Sequence, residues 1–323
     1  MGAMIEDDAV EPVVRMLLGA TDVDGGITDE QKAVLGALVA GAWGRADLDL
    51  DVLEPLDPAA AAAAVPESAH ERARELMVLF ELCRHPMTQA QVDRVDKYAT
   101  ALGLGDAMGA DIPRDLVRAG AAEAMADYMR YVDAVRPDLE EPTMRDAHLD
   151  EGTAPDPELA ARLKAMHDLP EGSLGWEYVE FYRRNGLTLP GDDPNSPALF
   201  VGHDMCHVIG GYEPTGQGEI ALGAMQLAVT DSDAHWIGFL GNLAVHEAGY
   251  LTNESVTGVQ ATMTRTHAPE LVAHAMWRGS QCTGDFTTAD HLSMIELPLT
   301  EVRELYGVPP VDPAHPEAMH VRE

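Results

Sequence analysis

Apolar residues recur along this chain mostly at spacings of three and four, the period of a helix that buries one face. Val34, Leu35, Leu38, Val39 and Ala42 form one such face, Ala73, Leu76, Met77, Phe80 and Cys83 a second, and Val92, Val95, Tyr98, Ala99 and Leu102 a third. Thr28 precedes Gln31 by three residues and Thr88 precedes Gln91 likewise, so the first and third faces open on capping-box signals. These repeated starts predict paired helical hairpins within residues 10–105. Ala59 to Ala64, bounded by Pro58 and Pro66, predicts a short helix or connection.

Residues 106–155 alternate helical stretches such as Ala121 to Val135 with proline and acidic breaks, the pattern of a connecting segment. Residues 156–310 then return to clear periodicity. A helix starts at Asp156 or Pro157 with Leu159, Leu163 and Met166 on one side, and Trp176 to Asn185 carries Tyr178, Phe181 and Tyr182 toward a core. Pro190 to Pro197 reads as a loop.

Composition narrows the function classes. The 323 residues are 46% hydrophobic, enough for a sizeable core and a natural division into more than one unit. A formal charge of -34 repels phosphate backbones and anionic bilayers, which disfavours nucleic-acid partners and leaves at most peripheral membrane contact. Acidic residues Glu6, Asp7, Asp8 and Glu11 stand where a secretory leader would be basic and apolar, and a cytoplasmic protein is expected. Cys83, Cys206 and Cys282 share no close spacing and suggest a reducing compartment.

The chemistry concentrates at residues 203 to 207, His-Asp-Met-Cys-His, followed after eleven residues by Glu219. His203 and His207 stand one helical turn apart, and Asp204 precedes His207 by three. The turn from Gly210 to Gly216 breaks this helix, and a second one starting near Gln217 or Glu219 carries a carboxylate back toward the imidazoles. Neutral imidazoles and carboxylates together suit one divalent metal ion, with zinc preferred and iron or manganese as alternatives. Asp204 is either a ligand or a proton acceptor, and Glu219 either a ligand or the group that orients a water. The expected fold class is therefore all-α, with two helical modules, the C-terminal one enclosing a metal-associated hydrophobic pocket.

Further residues are candidates for that pocket. His235, Trp236, Phe239 and His246 repeat at helical spacing, while Tyr250 stands where a zinc-protease motif would need a second histidine after His246 and Glu247. For His235 and His246 core packing or pocket lining stands beside proton transfer or an extra metal contact, and Trp236, Phe239, Tyr250 and Trp277 are either core residues or faces for stacking on a ring. Arg265 and Arg278 stand out in an acidic chain, either as surface ion-pair partners or as receptors for a substrate carboxylate.

The motif His203, Asp204, His207 and Glu219, spaced His-Asp-x2-His-x11-Glu, resembles the hallmark of the coenzyme Q (ubiquinone) biosynthesis protein 4 family. Leu169-Pro170, Gly175 with Tyr178, Gly218 to Leu222, Trp277 to Gly279 and Leu297 to Gly307 extend the likeness over roughly residues 155–310. The resemblance implies a helical protein of quinone biosynthesis with a metal and an isoprenoid-lipid pocket. It also implies removal of an aromatic ring carboxylate coupled to hydroxylation of the same carbon, with those four residues holding the metal and acting in catalysis. Implied partners are a hydrophobic aromatic or isoprenoid small molecule, and other quinone-biosynthesis proteins or a second copy of the chain. Cys206 stands where that family often has a bulky aromatic residue.

In the N-terminal part, the helices around the turn Asp22-Val23-Asp24-Gly25-Gly26 resemble a tellurite-resistance TerB-like module, with Asp22 and Asp24 matching its acidic positions. A calcium loop started at Asp22 lacks the glycine and glutamate that an EF-hand needs at its sixth and twelfth positions, so helix capping and metal binding both stay open. Two other functions also remain open: a nonenzymatic lipid-binding or assembly subunit with a structural metal, and a stress-response accessory protein.

Overall fold

The computed structural model describes residues 5–105, 107–139, 141–142, 155–192, 196, 198, 200–250 and 258–310. Among the described residues the regular structure is helical, and β pairing is limited to isolated bridges at Ser173–Pro298 and Ala248–Gln260. The all-α class follows from the apolar periodicity.

Both threonine caps form. Thr28 accepts from the Gln31 amide, and the Gln31 side chain accepts in return from the Thr28 amide, starting α2 (Asp29–Ala37). Thr88 starts the later helix Gln89–Leu102 by accepting from the Gln91 amide alone, while the Gln91 side chain donates to the Ala20 carbonyl instead of returning to Thr88. The apolar face from Val34 to Ala42 is less regular than its pattern predicts, because the helix widens into a π turn over Leu38–Ala42. A helix not anticipated in full precedes them: α1 (Asp7–Thr21) buries nearly every residue from Ala9 onward. α3 (Pro58–Ala64), α4 (His70–Leu82) and α5 (Gln89–Leu102) pack around α1.

The segment between the two halves contains α6 (Ile112–Arg118) and α7 (Ala121–Leu139), which runs through Pro137 beyond the expected end at Val135. α8 (Pro157–Ala165) and α9 (Leu174–Asn185) follow, then α10 (Phe200–Gly210), α11 (Gly216–Val229), α12 (Asp233–His246), α13 (Ala268–Gln281) and α14 (Leu299–Tyr306). Part of the loop at 190–197 and residues 251–257 lie outside the described residues. No helix among the described residues is long and apolar enough to cross a membrane.

α11 sits between α12 and α13, and its sequence explains why: Ile220, Ala221, Leu222, Ala224, Met225, Leu227 and Ala228 leave it apolar on almost every side. α13 in turn carries α2 and the π turn, while α12 carries α4 and α7. One continuous hydrophobic core thus includes residues from both halves of the chain. Close crossings depend on small residues. A side chain at Gly279 would run into the Met225 carbonyl oxygen of α11, and a Cβ on Gly223 would stand 2.9 Å from the Asn242 amide nitrogen and 3.0 Å from the Phe239 ring.

Gly279→Ala is expected to lower stability by about 1–3 kcal/mol through overpacking, outweighing the roughly 1 kcal/mol that alanine contributes to helix propensity. A chemical-denaturation midpoint that rises, at unchanged slope, would contradict this packing account.

Candidate functional site

α10 and the first turn of α11 face each other across the tight turn from Gly211 to Thr215. Gly211 adopts φ +79, a left-handed conformation natural to glycine, and its amide donates to the His207 carbonyl at 2.7 Å. Thr215 caps α11 by accepting from the Gly218 amide at 3.1 Å. Glu219 consequently lies in the first turn of α11, where the helix dipole favours a carboxylate.

The end of α10 is buried, so its unpaired carbonyls need donors. Two arginines distant in sequence supply them. Arg303 of α14 donates from Nε to the Ile209 carbonyl at 2.9 Å and from Nη2 to that of Val208 at 3.0 Å. Arg278 of α13, fully buried, donates from Nη1 to the Gly210 carbonyl at 2.8 Å and the Tyr212 hydroxyl at 2.9 Å, and from Nη2 to the Pro309 carbonyl at 2.7 Å. Burial pulls the Arg303 guanidinium down to about 10.

His207 is locked into this turn. Its Nδ1 lies 2.9 Å from the Tyr212 carbonyl, an acceptor only, so Nδ1 carries a proton and donates, and Nε2 faces the cluster. Phe181 of α9 stacks on the ring with centroids 5.4 Å apart. From that position His207 Nε2 lies 3.1 Å from His203 Nε2 and 3.2 Å from Glu219 Oε1, while His203 Nε2 lies 3.2 Å from Glu219 Oε2. Asp204 offers a carboxylate oxygen within 4.8 Å of donor atoms on both imidazoles. The Tyr182 hydroxyl donates to Asp204 Oδ2.

Charge follows from this geometry. Although burial works against it, the adjacent His207 and His203 hold the Glu219 carboxyl well below the usual range. Burial likewise opposes charge on His203, yet the Glu219 carboxylate raises its imidazole to about 9. Asp204 moves upward, mainly through burial.

The spacing suits a shared cation. Two ligands about 2.0–2.1 Å from one ion stand about 2.9 Å apart at a right angle and about 3.4 Å apart at the tetrahedral angle, and the separations of 3.1 and 3.2 Å fall between these limits. His203 keeps 31% of its side-chain surface exposed, whereas His207 is fully buried, so the open side of the cluster is at His203. Cys206 points elsewhere, with Sγ 3.8 Å from the Thr287 carbonyl and 3.9 Å from His291 Nε2. A cavity of about 20 Å³ touches His207 between Arg184, Val208 and Arg303, room for about one water molecule.

The other pocket candidates are dispersed. His246 lies beside Gly216 at the start of α11, close enough to feel Glu219 and both site histidines, and burial lowers its imidazole. His235 is held away from the cluster by the Thr230 carbonyl at 2.9 Å and the Thr287 hydroxyl at 2.7 Å. Trp236 faces the N-terminal half, where its Nε1 donates to the Met108 carbonyl at 2.8 Å. Phe239 packs on Gly223, Tyr250 is half-buried near Tyr128, and Trp277 is 39% exposed and stacked on His274. Arg278 lies beneath the end of α10, where carbonyls occupy its donors.

The acidic-glycine turn near the N-terminus is filled by a guanidinium. Arg84, two residues beyond the end of α4, points Nη2 at the carbonyls of Thr21, Val23 and Gly26 at 3.3, 3.3 and 2.6 Å. Asp24 instead accepts from the Thr88 hydroxyl at 2.7 Å, tying the turn to the cap of α5. Neither Arg84 nor the carbonyl-capping Arg303 stands out by local pattern, although each is a basic residue in a strongly acidic chain.

No family model matches this chain, and no curated protein does. Among solved structures it is similar to a crystal structure from Nostoc punctiforme of a protein provisionally named for ubiquinone biosynthesis. The identity is 20%, the match covers 75% of this chain and 99% of that one, and the TM-score is 0.34. A likeness of that degree transfers no function.

Arg84→Ala should cost about 1.5–3 kcal/mol, the range for hydrogen bonds to a charged group. Added calcium should leave the melting temperature of the unsubstituted protein unchanged, because the guanidinium already fills the turn. Calcium-dependent stabilisation that is lost in Asp24→Asn would overturn that assignment.

Proposed function

We propose that His203, Asp204, His207 and Glu219 hold one divalent metal ion, and that this chain acts through it on a hydrophobic aromatic or quinone-like molecule. The observation that supports this best is the convergence of His203 Nε2, His207 Nε2 and the Glu219 carboxylate at separations of 3.1 to 3.2 Å. The motif's resemblance to the ubiquinone-biosynthesis family makes a prenylated ring bearing a carboxylate the concrete substrate. In the full reaction the ring–carboxylate bond breaks, carbon dioxide leaves, and the same carbon takes a hydroxyl in a net two-electron oxidation with dioxygen as acceptor.

The residues divide the work. The Tyr212 carbonyl fixes the His207 tautomer, and Phe181 holds the ring plane, so the Nε2 lone pair is set before any ligand arrives. Tyr182 orients Asp204 as a ligand or proton acceptor. A bound ion would polarise a ring oxygen or the carboxylate, and would manage oxygen as well if it is redox-active. Zinc suffices for decarboxylation alone, whereas hydroxylation calls for iron or manganese.

The small cavity at His207 favours a second reading, a lipid-binding or assembly subunit whose metal is structural. The two differ in the open side at His203: catalysis needs an exchangeable position there, and a structural ion a closed shell.

Purified protein assayed with prenylated carboxyl-ring compounds, under defined metal and oxygen supply, should lose at least about 100-fold of its turnover in His203→Ala or Glu219→Ala, since even outer partners of a metal contribute 10–100-fold. Equal turnover by metal-free and substituted proteins would sink the catalytic role.

A further inference from the structure

A second cluster lies where the two halves of the chain meet. Glu30 comes from the first turn of α2, His85 from the loop after α4, and Glu247 from the residue that ends α12. One donor atom from each falls within 4.8 Å of the others. His85 Nε2 lies 2.7 Å from Glu247 Oε1 and 3.7 Å from Glu30 Oε2. The second Glu247 oxygen accepts from the Met263 amide at 2.8 Å.

Burial makes the grouping significant. The Glu247 side chain is fully buried and that of Glu30 is 8% exposed, yet Glu30 Oε1 is buried without a hydrogen-bond partner. The ion-pair contacts of both carboxylates go to His85. One imidazole carries at most one positive charge, so two dry, adjacent carboxylates exceed the counter-charge that faces them. The nearby guanidinium of Arg84 is turned the other way, onto the carbonyls of Thr21, Val23 and Gly26.

We propose that Glu30, His85 and Glu247 form a second divalent-cation site that fastens the N-terminal helices to the end of α12. Two carboxylates and one imidazole suit zinc, manganese or iron(II), and a 2+ ion with neutral His85 balances the charge. His85, 22% exposed, gives the entry side. The site is separate in residues from the His203 cluster and does not rest on it. Its role is to join helices, because its ligands come from three elements spread over both halves.

The test uses the full chain, stripped with a chelator and then titrated with zinc or manganese while elemental analysis counts bound ions. The unsubstituted protein should take up two ions per chain, and His203→Ala/His207→Ala should keep one that raises its melting temperature. Adding Glu30→Gln to that double variant should weaken the remaining ion by at least about 10-fold. His85→Asn, at a partly exposed position, supplies the same comparison if Glu30→Gln does not fold. Loss of all binding in His203→Ala/His207→Ala, or undiminished affinity after Glu30→Gln or His85→Asn, would overturn the proposal and leave a proton shared between the carboxylates. If instead His203→Ala/His207→Ala binds like the unsubstituted protein while Glu30→Gln binds nothing, the second site stands and the first falls.

Discussion

The arrangement of the candidate site depends on where the carbonyls at the end of α10 find their donors. A helix that ends in the interior exposes oxygens that water cannot reach, and each one left unpaired costs roughly 1–3 kcal/mol. Here Val208, Ile209 and Gly210 are served by Arg303 and Arg278. Because these guanidinium groups are themselves buried, they fix the geometry more tightly than solvent would. The turn that follows is thereby held, the Tyr212 carbonyl is placed, and His207 has one tautomer. The approach of His207 Nε2 to His203 and Glu219 is the end of that sequence of constraints.

Part of this was legible in the chain itself. Two histidines one turn apart, a glycine-rich reversal and a carboxylate beyond it suffice to predict that His203, His207 and Glu219 approach each other, because every step is local. Asp204 was legible as a neighbour but its holder was not: Tyr182 lies on another helix, and only packing brings the two together. Helix existence was likewise readable from apolar spacing, while the π widening over Leu38–Ala42 was not, since its apolar residues continue the same stripe. The arginines show a further limit. Sequence marks Arg278 as unusual in an acidic protein, and carbonyl capping and carboxylate binding both require a guanidinium. The fold alone shows that its donors meet Gly210, Tyr212 and Pro309.

The two halves are tied by three kinds of contact that differ in physical origin. Small residues let backbones approach, as where Gly41 of the π turn meets Ala273 of α13. Directed hydrogen bonds cross the same divide, with the Trp236 indole donating to the Met108 carbonyl. Charge does so too, through Arg72, which pairs with Asp231, and a short polar contact joins His85 Nε2 to Glu247 Oε1 at 2.7 Å. Apolar contact favours association without fixing its register, whereas the polar links select one orientation. The position of Glu219 is sensitive to both, because α11 is clamped on two sides by helices that carry the N-terminal half.

The grip of Arg303 on α10 also sets an order of events during synthesis. The Ile209 carbonyl waits for a donor 94 residues further along the chain. On the ribosome, which extends a chain at about 5–20 residues per second, the histidine-bearing helix therefore emerges several seconds before the residue that completes its end. During that interval its last turn has only water, or a chaperone, to satisfy it. The geometry of the His203–Glu219 cluster is thus a late product of translation, although its histidines are made much earlier.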